Sequence, residues 1–118
     1  MFKAVCLLKR RPGMSFEEFV EYYETNHRKL GEKWLNGPTR YVRRYLHPVN
    51  NPVSGETPEL DYDVLTEMWF ETREAFDVAM AALSRPEAAQ EILEDEVKLF
   101  DRSKISLCWI EERESDLR

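Results

Sequence analysis

The spacing of apolar residues changes several times along this chain, and each change marks an element. Residues 1–9, MFKAVCLLK, are apolar at nearly every position, which predicts a strand buried on both faces, and Pro12-Gly13 predicts a turn behind it. From Phe16 the spacing becomes helical. Phe16, Phe19, Val20, Tyr23, His27, Leu30 and Trp34 fall on one side of a rod. Ser15 suits the N-cap of that helix, with Glu18 reaching back to complete a capping box. Asn36-Gly37-Pro38 stops it, unless Gly31 does so earlier. Residues 39–47, TRYVRRYLH, alternate as a second strand, and 62–70, YDVLTEMWF, read as a third. Thr72 is placed to cap the helix REAFDVAMAAL. Ser84 and Glu87 form a second capping box around Pro86, for a further helix running through Phe100. KISLCWI, residues 104–110, is the last strand.

This order predicts a ferredoxin-like α+β fold, β-α-β-β-α-(α)-β, with a four-stranded antiparallel sheet and its helices on one face. Residues 1–112 form the single domain and 113–118 a polar tail. A sheet covered on one side should carry one apolar and one polar face. Here both parities are apolar: Phe2, Ala4, Cys6 and Leu8 against Val5 and Leu7 in the first strand, and Val64, Met68 and Phe70 against Leu65 and Trp69 in the third. An open face of that kind exceeds what a monomer normally exposes, so a homodimer closed through the sheets into an α+β barrel is the expected assembly.

Charge and composition narrow the partners. The formal net charge of -6 disfavours a nucleic-acid backbone as partner. No apolar run approaches the ~20 residues of a membrane span. Met1 leads almost directly into a strand, which predicts a cytoplasmic chain without a leader. Cys6 and Cys108 sit in separate apolar strands without metal-ligand spacing, so buried reduced thiols are expected and no metal. The acidic run EILEDE, residues 91–96, reads as the wet face of a helix.

Candidate chemistry centres on His27. At about 100° per residue it lies roughly 20° from the line through Phe16 and Trp34, in the middle of the apolar stripe. Asn26 and Tyr22 flank it. A core histidine satisfied by a neighbour would explain such a position, and so would a histidine facing a cavity. The second strand favours the cavity, because Tyr41, Arg43, Tyr45 and His47 share one face, and their polar tips suit a damp pocket better than packing against helices. Val42 and Leu46 suit the helix side. Glu67 shares a face with Leu65 and Trp69 and is expected to look into the same interior as Arg43 and Tyr45; the alternative is an ordinary buried ion pair. Imidazoles titrate near ~6.5 and move protons at neutral pH. A tyrosine hydroxyl or Asn26 would hold a carbonyl or enolate oxygen. Tyr and Trp faces would stack on a flat ring.

The stretches LLKRRPGMSFEEFVEYYETNH, DYDVLTEMWFETREAFDVAMAAL and EDEVKLFDRS resemble the EthD-like family of the dimeric α+β barrel superfamily. The family pattern is a strand ending in Lys-Arg, a Pro-Gly turn, then a helix with an aromatic pair ahead of a histidine, here Tyr22, Tyr23 and His27. The resemblance covers nearly the whole chain. It implies a ferredoxin-like fold dimerised through its sheets and a pocket between sheet and helices, with no metal or organic cofactor. Similar proteins include accessory proteins of ether-degrading oxygenase systems, aromatic polyketide dehydratases and cyclases, and isomerases of muconolactone-type compounds. His27 is the one role the resemblance transfers.

The expected function is therefore a cofactor-free enzyme of lyase, dehydratase, cyclase or isomerase type. His27 is its general acid or base, acting on a small aromatic or enolisable metabolite. Tyr23, Asn26, Tyr41, Arg43, Tyr45, His47, Glu67 and Trp69 are the expected substrate contacts. A cofactor-independent oxygenase and a non-catalytic accessory protein that binds a hydrophobic metabolite remain the alternatives. Haem on His27 or His47 is disfavoured. The loop over residues 48–61 is long for a hairpin and suits a pocket lid or a dimer arm.

Overall fold

The computed structural model describes all residues, 1–118. The first and third predicted strands, apolar on both faces, form the centre of the sheet, while TRYVRRYLH and KISLCWI, the latter also apolar on both faces, form its edges. β1 spans Phe2–Arg10, β2 Arg40–Tyr45, β3 Val64–Phe70 and β4 Phe100–Trp109, in one sheet ordered β2-β3-β1-β4 with every neighbour antiparallel. The helices are α1 (Phe16–Tyr22), α2 (Arg28–Trp34), α3 (Arg73–Leu83) and α4 (Pro86–Glu96). This is the ferredoxin-like α+β arrangement expected from the sequence.

Side-chain alternation fixes what each face meets. Ala4 pairs with Met68, Cys6 with Thr66 and Leu8 with Val64, and this face lies under the helices. Phe19 and Tyr23 cover one half of it beside Leu99 and Phe100, while Ala79 covers the other half near Phe70. Phe19 is fully buried, and a side chain of that size contributes about 1.5–3 kcal/mol by leaving water.

Two N-caps form, with Ser15 accepting from the amide of Glu18 and Thr72 from the amide of Ala75, but the Glu18 side chain does not return to the Ser15 amide, so the first is a simple cap and not the full box. The Ser84 box does not form. Its hydroxyl donates back to the Ala81 carbonyl and Arg85 takes the N-cap place, with Pro86 opening α4. That helix ends at Glu96, and β4 starts at Phe100, four residues ahead of the expected Lys104. Cys108 is exposed on β4 and is not the buried thiol expected of it. No helix is long and apolar enough to cross a membrane.

The first helical rod is not uniform. Between α1 and α2, residues Tyr23–His27 form a π-helical turn, in which the amide of Arg28 reaches the carbonyl of Tyr23. Such turns hold one residue more than an α-helix and concentrate at functional sites. Here the turn contains the motif histidine.

Candidate functional site

A cavity of about 160 Å³ lies between the helices and the sheet of a single chain. It is not the hollow between two facing sheets that strand parity suggested. The walls are mostly apolar, with Leu8, Met68, Met80, Ile92 and Phe100 among them. Ile105 and Leu107 of β4 line it and are also exposed, so the mouth opens over that edge strand.

His27 stands on the cavity wall, its ring edge-on to Tyr23 and Phe100. Nδ1 lies 2.9 Å from Oδ2 of Asp95, and the Tyr22 hydroxyl donates to the other oxygen of that carboxylate. A carboxylate only accepts, so in the neutral imidazole this contact assigns the proton to Nδ1 and leaves a lone pair on Nε2. Burial and the neighbouring Asp95 push the Tyr22 phenol up to about 12. A second carboxyl, Glu96, lines the cavity itself; burial raises it above the usual range, against the opposing pull of His27 and Arg102. Cys6 also lines the cavity, and burial lifts its thiol to about 11, which keeps it an uncharged wall group.

The other polar groups are used structurally. The Tyr23 and Thr66 hydroxyls lie 2.6 Å apart, and burial holds the Tyr23 phenol well above its ordinary range. Tyr41 lines the cavity where Gly31 lets its ring approach the α2 backbone: a Cβ at that glycine would stand 2.8 Å from Cζ of Tyr41. No three His, Cys, Asp or Glu side chains gather at metal-ligand spacing.

Of the contacts expected from sequence, the structure brings His27, Tyr23 and Tyr41 to the cavity. The rest lie elsewhere. Arg43 and Tyr45 do share the face of Tyr41, but that face is the helix side, not an open interior. Both clasp Glu24 of the π-helical turn, Arg43 with a fork at 2.8 and 3.0 Å and Tyr45 through its hydroxyl. Arg43 is the main cause of a Glu24 carboxyl held below its ordinary range, and burial with Glu24 pushes the Tyr45 phenol up. His47 is exposed and stacks edge-on against Phe16. Asn26 is exposed, and its amide donates to the Thr25 hydroxyl.

Glu67 faces away from Arg43 and Tyr45. Its register partner is Val42, so it emerges on the outer sheet face, where it pairs with Arg44 at 2.9 Å. Trp69 shares that outer face, between Lys3 at 4.0 Å and Arg40 at 4.7 Å from its ring, and its indole N–H approaches the Glu67 carboxylate without reaching full hydrogen-bond geometry. Sequence reasoning missed Asp95 and Glu96. The signal was there: Ala88, Ile92, Asp95 and Leu99 repeat at four, three and four, so Asp95 is an acid on the inward stripe of α4.

A family model described as EthD domain matches residues 11–103. Among solved structures, an Arabidopsis thaliana protein is 19% identical with a TM-score of 0.63, covering 99% of this chain and 100% of its own. A protein of Bacillus halodurans described as of the ethyl tert-butyl ether (EthD) family is 19% identical with a TM-score of 0.62, covering 96% and 100%. A dimeric ferredoxin-like protein of unknown function from Thermobifida fusca is 13% identical with a TM-score of 0.54, covering 92% and 88%. At these identities the likeness establishes the fold. No curated protein matches the chain significantly.

Proposed function

The chain belongs to the EthD domain family, and from that premise and the cavity geometry we propose that it acts on a small, largely apolar metabolite by proton transfer through His27. The observation that carries this reading is a single residue with two faces: Nδ1 is held by Asp95, while the ring borders an apolar cavity open to solvent. An imidazole so held keeps one tautomer and one orientation, which is what a general base needs. The cavity size suits a compound built on one aromatic ring. The chemistry is lyase, isomerase or cyclase work on an enolisable compound, done by side chains alone. A direct reaction of the resulting carbanion with oxygen would be its oxygenase variant.

A carrier for a hydrophobic metabolite is the second reading, favoured by the mostly apolar wall. The two separate on one probe, 2-indanone, an enolisable aromatic ketone. An enzyme exchanges its α-hydrogens in D2O, and His27→Gln lowers that rate by about a hundredfold while the Kd changes little. A carrier binds 2-indanone without accelerating exchange, and that result would remove the catalytic reading.

We also propose a homodimer through the outer sheet face, where Val5, Leu7, Leu65 and Trp69 lie opposite the helices. Sedimentation equilibrium tests it. The dimer should weaken in Leu65→Glu, and a monomeric wild type would reject it.

A further inference from the structure

Asp95 and Glu96 are neighbours at the end of α4, yet they serve different spaces. Asp95 stands behind the imidazole, taking Nδ1 and the Tyr22 hydroxyl. Glu96 lines the cavity, and while its backbone carbonyl accepts from the Leu99 amide, its carboxyl makes no hydrogen bond or ion pair within the chain. It shares the cavity wall with Cys6 of β1 and with His27, between the helical layer and the sheet. Its oxygens are not sealed from water, so within a mostly apolar cavity this carboxyl is a polar group free to meet a ligand.

We infer that Glu96 is the second proton-handling group of the cavity, the acid that meets a substrate carbonyl oxygen while His27 works on the adjacent carbon. This inference rests on the reading of His27 given above and assigns the substrate class as a small enolisable ketone or ester with an apolar body. The step balances within the site. Nε2 of His27 takes a proton from the carbon next to the carbonyl. The C–H electron pair becomes a C=C bond, the carbonyl π pair moves to oxygen, and that oxygen takes the proton of Glu96. The enol, an imidazolium and a carboxylate result. Return of the enol proton to Glu96 and of an imidazolium proton to carbon restores both groups; the hydrogen is exchanged when the imidazolium first trades its proton with solvent, and the substrate is isomerised when the proton returns to the far carbon of a dienol. Burial favours this role, since it keeps the proton on Glu96 to higher pH than an exposed glutamate allows. His27 from the π-helical turn, Cys6 from β1, Arg102 from β4 and Asp95 beside it are the titratable or charged groups that act on it.

The test uses the full-length protein with 2-indanone and reads two signals. One is the infrared carbonyl band of the bound ketone; the other is the pH profile of its α-hydrogen exchange. Glu96→Ala should return the carbonyl band to higher frequency, and His27→Gln should leave it in place. Glu96→Gln, which preserves shape, should slow exchange by about tenfold to a hundredfold and abolish the alkaline limb of the profile. If band and rate are unchanged in both Glu96 variants while His27→Gln still loses exchange, the inference is overturned and the reading of His27 survives. If the wild type neither binds 2-indanone nor accelerates its exchange, both are overturned.

Discussion

His27 and Asp95 meet across two elements that are 68 positions apart in the chain, one in the π-helical turn and the other in the last turn of α4. Their 2.9 Å contact is nearly dry, with side chains 12% and 11% exposed. Asp95→Asn should therefore affect both stability and chemistry. Leaving the Tyr22 hydroxyl and the imidazole with a poorer acceptor should cost about 1–3 kcal/mol, read as a lower urea midpoint. Exchange of 2-indanone should slow at least tenfold, because the amide no longer fixes the tautomer. Tyr22→Phe should lower the midpoint by a smaller amount and leave exchange almost intact.

Glu24 ties the same turn to β2 through Arg43 and Tyr45, and this tie should depend on pH. Its carboxyl is held below its unfolded value of ~4.3, so the stabilisation is present above that pH and is lost as pH falls through the lower, folded value. The Glu24 side chain is 36% exposed, so screening limits the effect to about 1 kcal/mol or less. Wild type should exceed Glu24→Gln in urea midpoint at pH 7. The gap should close towards pH 3, where a protonated Glu24 resembles the glutamine.

Gly31 holds its place by contact rather than by backbone angle. A Cβ there meets the Tyr41 ring at 2.8 Å, and that ring is pinned against the cavity wall. Gly31→Ala should destabilise the fold by about 1–3 kcal/mol despite the better helix propensity of alanine. In a Tyr41→Leu background the same change should cost far less, a coupling that a double-mutant cycle measures.

The sequence predicts the fold well because strands and caps are local. The unbroken apolar run Ala4-Val5-Cys6-Leu7-Leu8 makes β1 a central strand, and Thr72 starts α3 where the propensities say it should. The site is less legible, and β2 shows why. Val42 and Leu46 resemble a core-facing set, while Tyr41, Arg43 and Tyr45 look too polar to meet helices. Glu24 reverses that choice by satisfying two of the three polar tips from the helix side. No rule of strand alternation contains a partner on another element. The acidic run misled similarly: Glu94 and the exposed Leu93 do lie in water, and Asp95 and Glu96 turn inward two residues later. Only the stripe through Ala88, Ile92 and Leu99 distinguishes them.

The five-residue turn before Arg28 also marks where the rod carries a surplus residue. Removing Thr25, which is exposed, would leave four residues for that turn and let an α-helix run straight through. Four residues at about 100° each sweep nearly the same angle as five at the wider π spacing, so Gly31 would keep its place against Tyr41. The surplus residue goes into the shape of the turn itself, from which Glu24 reaches β2 and His27 reaches α4.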